Sequence, residues 1–129
     1  MHINLESDYA IRIVASLAAG EKRMDARAIA AKSHVTLRFA LKILSKLAKT
    51  NIVKSFKGSG GGYELGRSPE KITLYDVIET VEGPYALNRC LHDGCDCHQK
   101  EAACRFHHAF EDISNMVIDQ LKSVNFGEE

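Results

Sequence analysis

Four cysteines lie within fifteen residues, in the run C-L-H-D-G-C-D-C-H-Q-K-E-A-A-C from Cys90 to Cys104, with His107 and His108 close behind and no cysteine elsewhere. Four residues separate Cys90 from Cys95, one separates Cys95 from Cys97, six separate Cys97 from Cys104, and two separate Cys104 from His107. Thiolates are soft ligands suited to zinc or to iron-sulfur clusters, and imidazole completes either kind of site. Paired C-x-x-C knuckles, the usual zinc signature, are missing. The spacing points less to a zinc ribbon than to a loop wrapped around a larger, solvent-accessible cofactor. Zinc, free thiols and a disulfide are the alternatives. A small thiol redox enzyme is disfavoured, because the chain has no C-x-x-C and no Ser-His or Cys-His pair in a recognisable catalytic context.

Such a cluster needs a scaffold, and 129 residues suffice for one compact domain with an appended element. Hydrophobic residues make up 45% and charged residues 26%, as in soluble globular proteins, and no apolar run is long enough to span a membrane. The N-terminus has two acids in its first eight residues and no basic stretch, so it does not resemble a signal peptide. The expected compartment is the cytoplasm, where thiols stay reduced and clustered cysteines more often bind metal than pair. The formal net charge of zero conceals a division. Residues 1–60 hold eleven Lys/Arg against four Asp/Glu, and residues 61–129 hold six against thirteen. A basic first half implies a localised polyanion-binding surface, because phosphate neutralisation depends on where the cations sit.

Apolar spacing in Ala10, Ile11, Ile13, Val14, Leu17 and Ala18 predicts a first helix from Ser7 to Ala19, capped by Ser7 or Asp8 and stopped by Gly20. A shorter helix follows from Asp25 to Lys32, with a turn at Ser33-His34. Thr36 can cap a third helix to about Thr50, with Leu37, Leu41, Leu44, Leu47 and Ala48 as its apolar stripe. Its other side presents Arg38, Lys42, Ser45 and Lys49, flanked by Phe39 and Lys46. A helix buried on one side and basic on the other can lie in a DNA major groove, although many lysine-bearing faces are merely solvated. Ile52 to Lys57 and Tyr63 to Leu65 then flank Gly58-Ser59-Gly60-Gly61-Gly62, which reads as a hairpin. Neither G-x-G-x-x-G nor a Lys-Ser/Thr after the glycines supports a nucleotide loop.

Short helices, a basic third helix and a hairpin make the order of a winged helix-turn-helix. The candidate DNA contacts are Thr36, Arg38, Phe39, Lys42, Lys54, Lys57, Ser59, Gly60 and Gly61, with Thr36 placed to hold a phosphate at the helix start. His34 reads first as a turn residue and second as a contact. A packing helix begins at Thr73 and ends at Gly83-Pro84. The cysteine segment follows as a loop, and Phe106, Phe110, Ile113, Val117 and Val124 predict a long C-terminal helix from about Arg105 to Ser123. So long an apolar helix at the end of a small domain has little of its own chain to cover it, and a second copy is the economical partner. The fold class is mainly α with a small β-hairpin: a winged helix-turn-helix domain with its packing helix over 1–83, a cysteine-rich loop over 84–105, and a dimerisation helix and tail over 106–129.

Nearly the whole chain resembles the winged-helix iron-sulfur transcription regulators, the family that includes IscR, NsrR and RirA. The resemblance rests on S-D-Y-A-I-R-I-V, V-T-L-R-F-A-L-K-I-L-S-K-L, K-S-F-K-G-S-G-G-G-Y-E-L, I-T-L-Y-D-V-I-E-T-V-E-G-P and the closing C-R-F-H. It implies a homodimer that binds palindromic double-stranded promoter DNA and is not an enzyme, with affinity set by a 2Fe-2S or 4Fe-4S cluster that senses iron, cluster supply, redox state or nitric oxide. Three cysteines and one other residue would hold the cluster. His107 matches the fourth ligand of IscR-like members, and Asp8 matches the aspartate that NsrR-like members supply from the other subunit. Three cysteines are usual, so one of four is surplus. Cys90, Cys97 and Cys104 are favoured, because Cys97 leaves gaps of six on either side; Cys95 is the alternative to it. That spacing departs from the five-and-five of IscR-like members and leaves a structural zinc or a thiol-based redox switch as the second reading.

Overall fold

The computed structural model describes residues 3–20, 23–91 and 104–127. Five helices and one hairpin follow in the order α1 (Leu5–Ala19), α2 (Ala26–Ser33), α3 (Leu37–Lys49), β1 (Val53–Phe56), β2 (Gly62–Leu65), α4 (Leu74–Glu82) and α5 (Arg105–Lys122). Short 3-10 turns at Pro69–Lys71 and Arg89–Leu91 precede α4 and follow it. A long C-terminal helix thus follows a winged-helix core, the fold class expected from the sequence.

Local chemistry sets the helix boundaries. Asn4 caps α1, its side chain accepting the Ser7 N–H, so the helix starts two residues before the expected Ser7. Asp25 caps α2 through Ala28 N–H, and Thr36 caps α3 through Phe39 N–H at 3.2 Å. Between them His34 takes a left-handed conformation (φ 58, ψ 45) that turns the chain from α2 to α3. Thr73 and Asp76 form a complete capping box at the start of α4.

The core lies where α1, α2, α3 and α4 meet. Ala10, Ile13 and Val14 of α1, Ile29 of α2, Ala40, Ile43, Leu44 and Leu47 of α3, Ile52 before β1, and Ile72 and Val77 around α4 are fully enclosed. Each buried Ile, Leu or Val among them contributes about 1.5–3 kcal/mol by leaving water. One expectation is corrected here. Leu41 points outward at 44% exposure and Leu37 is half-buried, while Ile43 faces inward. At 100° per residue the buried stripe, Ala40, Ile43, Leu44 and Leu47, is rotated by roughly 60° from the expected one.

The hairpin pairs Val53 with Leu65 and Phe56 with Gly62. It is fastened to the connection before α2 by two reciprocal backbone hydrogen bonds, Met24 N–H to Tyr63 O (3.0 Å) and Tyr63 N–H to Met24 O (2.7 Å). At the other end of the molecule the tail returns to α4, with Leu74 N–H donating to Val124 O and Phe126 N–H to Ile72 O. Within α5 itself the buried residues are His107 and Ser114, whereas Phe106, Ile113 and Met116 stand 59%, 42% and 68% exposed.

Candidate DNA-binding surface and cysteine site

The outward face of α3 is the first element of the site. Arg38, Phe39, Leu41, Lys42, Ser45 and Lys49 are exposed, and Lys46 is half-buried beside them. Phe39 is fixed against Tyr9 of α1, their rings edge to face with centroids 5.7 Å apart. Thr36 stands at the N-terminus of α3, where helix backbone N–H groups and the macrodipole favour an anion. Lys54 and Lys57 project from the wing, and Ser59 and Gly60 lie exposed at its tip, with Gly61 half-buried. Gly58 and Gly60 have φ of 82 and 77, the left-handed region in which glycine forms such turns without strain.

Arg23 was not singled out in the sequence, yet it braces this wing. Its guanidinium lies 3.4 Å from the centroid of the Phe56 ring, donates to Gly60 O at 3.3 Å, and sits 3.6 Å from the Glu64 carboxylate. A second missed contact joins α1 to α4. Ser7, fully buried, donates its hydroxyl to the Glu82 carboxylate, which also accepts the Asn4 N–H at 3.3 Å. Both residues lie in segments that carry the family resemblance, S-D-Y-A-I-R-I-V and I-T-L-Y-D-V-I-E-T-V-E-G-P, but nothing local in either segment pairs them across 75 residues.

The cysteine site forms where the chain leaving α4 meets α5. Leu87 N–H donates to the buried Ser114 hydroxyl of α5 at 2.9 Å, which places the Arg89–Leu91 turn and Cys90 against the helix. Cys104 occupies the N-cap of α5, its sulfur accepting the His107 N–H at 3.4 Å. Cys90 and His107 line a cleft of about 290 Å³ with Pro84, Tyr85, Glu111 and Ile118. Both Cys90 and Cys104 are free thiols. Burial raises the Tyr75 phenol above its ordinary value, and its oxygen accepts the Tyr85 N–H.

His107 is 9% exposed, and its Nδ1 is buried without a hydrogen-bond partner among the described residues. Its Nε2 lies 3.9 Å from Glu111. A buried polar atom without a partner is costly and usually has one. An imidazole nitrogen in that condition, one turn from a thiol and lining a cleft with another, fits a metal or iron-sulfur ligand set. Among the described residues no three His, Cys, Asp or Glu side chains converge as a closed site. Cys95 and Cys97 lie outside the described residues. Asp8 is elsewhere, on α1, in an ion pair with Arg12 at 2.9 Å.

The family model for Rrf2, described as an iron-dependent transcriptional regulator, matches residues 3–128. The chain belongs to the Rrf2 family. It is 33% identical over 116 residues to a putative HTH-type transcriptional regulator of Aquifex aeolicus, covering 88% of this chain and 81% of that protein. It is 32% identical over 100 residues to IscR of Vibrio campbellii, covering 78% of this chain but 58% of that longer protein. The solved structure of CymR, the global cysteine regulator of B. subtilis, superposes with a TM-score of 0.77 at 27% identity, covering 98% of this chain and 93% of that one. This Rrf2 protein is therefore a DNA-binding transcriptional regulator, and the relatives named above are described as regulators. No described helix is long and apolar enough to cross a membrane.

Proposed function

We propose that this Rrf2 regulator acts as a homodimer whose affinity for palindromic promoter DNA is set by an iron-sulfur cluster held by Cys90, Cys97, Cys104 and His107. The buried, unpartnered Nδ1 of His107 in a cleft shared with Cys90 is the observation that most supports this reading. It favours His107 over Asp8, whose carboxylate already pairs with Arg12. When bound, the cluster would supply a redox- and oxygen-sensitive link between the α4–α5 junction and the cysteine segment.

The chain's own residues do the rest. Cys104 starts α5 and Cys90 sits on the turn that Ser114 anchors to α5, so both ends of the cysteine segment are tied to one helix. The junction continues from Tyr85 and Pro84 back to Glu82, which holds the first turn of α1 through Ser7 and Asn4. The exposed Phe106, Ile113 and Met116 give α5 an apolar face suited to a second copy. In a dimer built on α5, the angle at this junction fixes the spacing of the two α3 helices. A palindrome requires both to seat in register, so small changes of angle alter phosphate and base contacts together.

Anaerobic purification tests the reading. Wild-type protein should absorb in the visible range, Cys104→Ala and His107→Ala should lose that absorption, and Asp8→Ala should keep it. Unchanged absorption in Cys104→Ala overturns the site. Colourless wild-type protein with stoichiometric zinc, or with none, transfers the function to a structural zinc or a thiol switch.

A further inference from the structure

The recognition helix has more cations than it has free cations. Lys46 Nζ lies 2.8 Å from Glu6 Oε1, and Lys42 Nζ lies 3.8 Å from the same oxygen. Glu6 Oε1 is buried and has no aligned hydrogen bond, so charge rather than hydrogen-bond geometry holds it. Arg38 and Lys49, on the same helix, stand exposed and, among the described residues, outside any such pair. The backbone that carries Glu6 is held in place. Its turn of α1 is fixed by the Asn4 cap on one side and by the Ser7 and Asn4 hydrogen bonds to Glu82 on the other.

We propose that Glu6 is a positioning residue for DNA binding, a fixed counter-charge that occupies Lys46 and Lys42 and lowers the number of cations α3 can offer to phosphate. A backbone phosphate approaching these lysines must displace a carboxylate that remains nearby and repels it. The gain from counterion release at those two positions is thereby reduced, and sequence-independent attraction weakens relative to base contacts. Lys42, counted among the DNA contacts from sequence, is thus a shared residue. Lys46 is committed more firmly to Glu6, being closer and half-buried.

Salt dependence reads this directly, because each phosphate neutralised adds about 0.9 to the slope of log affinity against log salt. The measurement is fluorescence anisotropy of the full chain on a labelled mixed-sequence duplex, where electrostatics dominate. Glu6→Gln should steepen the slope by about 0.9 per freed lysine in each engaged subunit, an extra loss of about 3.5-fold per lysine between about 50 and 200 mM salt. Adding Lys46→Gln to Glu6→Gln should remove about 0.9 of that gain. An unchanged or shallower slope in folded Glu6→Gln protein overturns the proposal. Should Glu6→Gln fail to fold, single variants decide: Lys46→Gln should reduce the wild-type slope by less than Arg38→Gln does, and an equal reduction overturns the proposal.

Discussion

Gly62→Ala is the substitution whose cost the geometry sets most closely. Gly62 has φ of 137, and a Cβ there would stand 2.5 Å from Met24 O and 2.8 Å from Met24 C, both backbone atoms that cannot rotate away. The alanine must therefore change φ and push back the Met24 backbone, breaking the two hydrogen bonds between Met24 and Tyr63. Conformational strain costs about 1–2 kcal/mol, and two backbone hydrogen bonds add about 1 kcal/mol each. The expected loss is about 3–4 kcal/mol, a large part of the 5–15 kcal/mol typical of such domains. Gly60→Ala is the internal control: φ is positive there too, at 77, but nothing lies within 4 Å of its Cβ, so strain alone applies and about 1–2 kcal/mol is expected. Urea denaturation at one fixed protein concentration measures both. Gly62→Ala should also flatten the salt dependence of DNA binding, because the displaced wing carries Lys54 and Lys57. Equal losses in the two variants would refute the claim that the Met24–Tyr63 attachment holds the wing.

Two further outcomes follow from single contacts. Thr36→Ala removes the cap on α3 and should cost about 1 kcal/mol in urea denaturation with an unchanged m-value, together with weaker DNA binding as the first turn frays. Met116→Glu places a charge on the exposed apolar face of α5. The two-fold partner doubles the effect, so at about 1.5–3 kcal/mol per buried methionine the dimer should weaken by about 3–6 kcal/mol, which sedimentation velocity reads as a shift to monomer.

The α3–wing unit was legible because each of its parts has a local signature: Thr36 as a cap, period-3.6 leucines, and glycines between β-rich runs. The rotation of α3 was not, since both Leu41 and Ile43 satisfy a helical stripe and only packing against α1 and α2 chooses between them. Arg23 and Glu6 were invisible for a different reason. Their roles depend on Phe56, Gly60 and Lys46, more than thirty residues away, and an isolated arginine or glutamate has no pattern. At the cysteine site, sequence pointed to Cys90, Cys104 and His107 as metal ligands; the fold adds that Cys90 and His107 share a cleft and that Nδ1 lacks a partner. Cys95 and Cys97, the rivals for the middle position, differ in spacing alone, which favours Cys97 for its equal gaps, and both lie outside the described residues.

The decisive measurement is DNA affinity with the cysteine site filled and emptied in one preparation. A palindromic duplex is selected from random sequence by anaerobically purified protein, and its dissociation constant is measured before and after iron is removed by chelation under anaerobic conditions. Coupling between two sites is typically about 5–150-fold, and a change in that range, abolished by Cys104→Ala, is expected. Equal affinity in the two states would contradict control of DNA binding by the site.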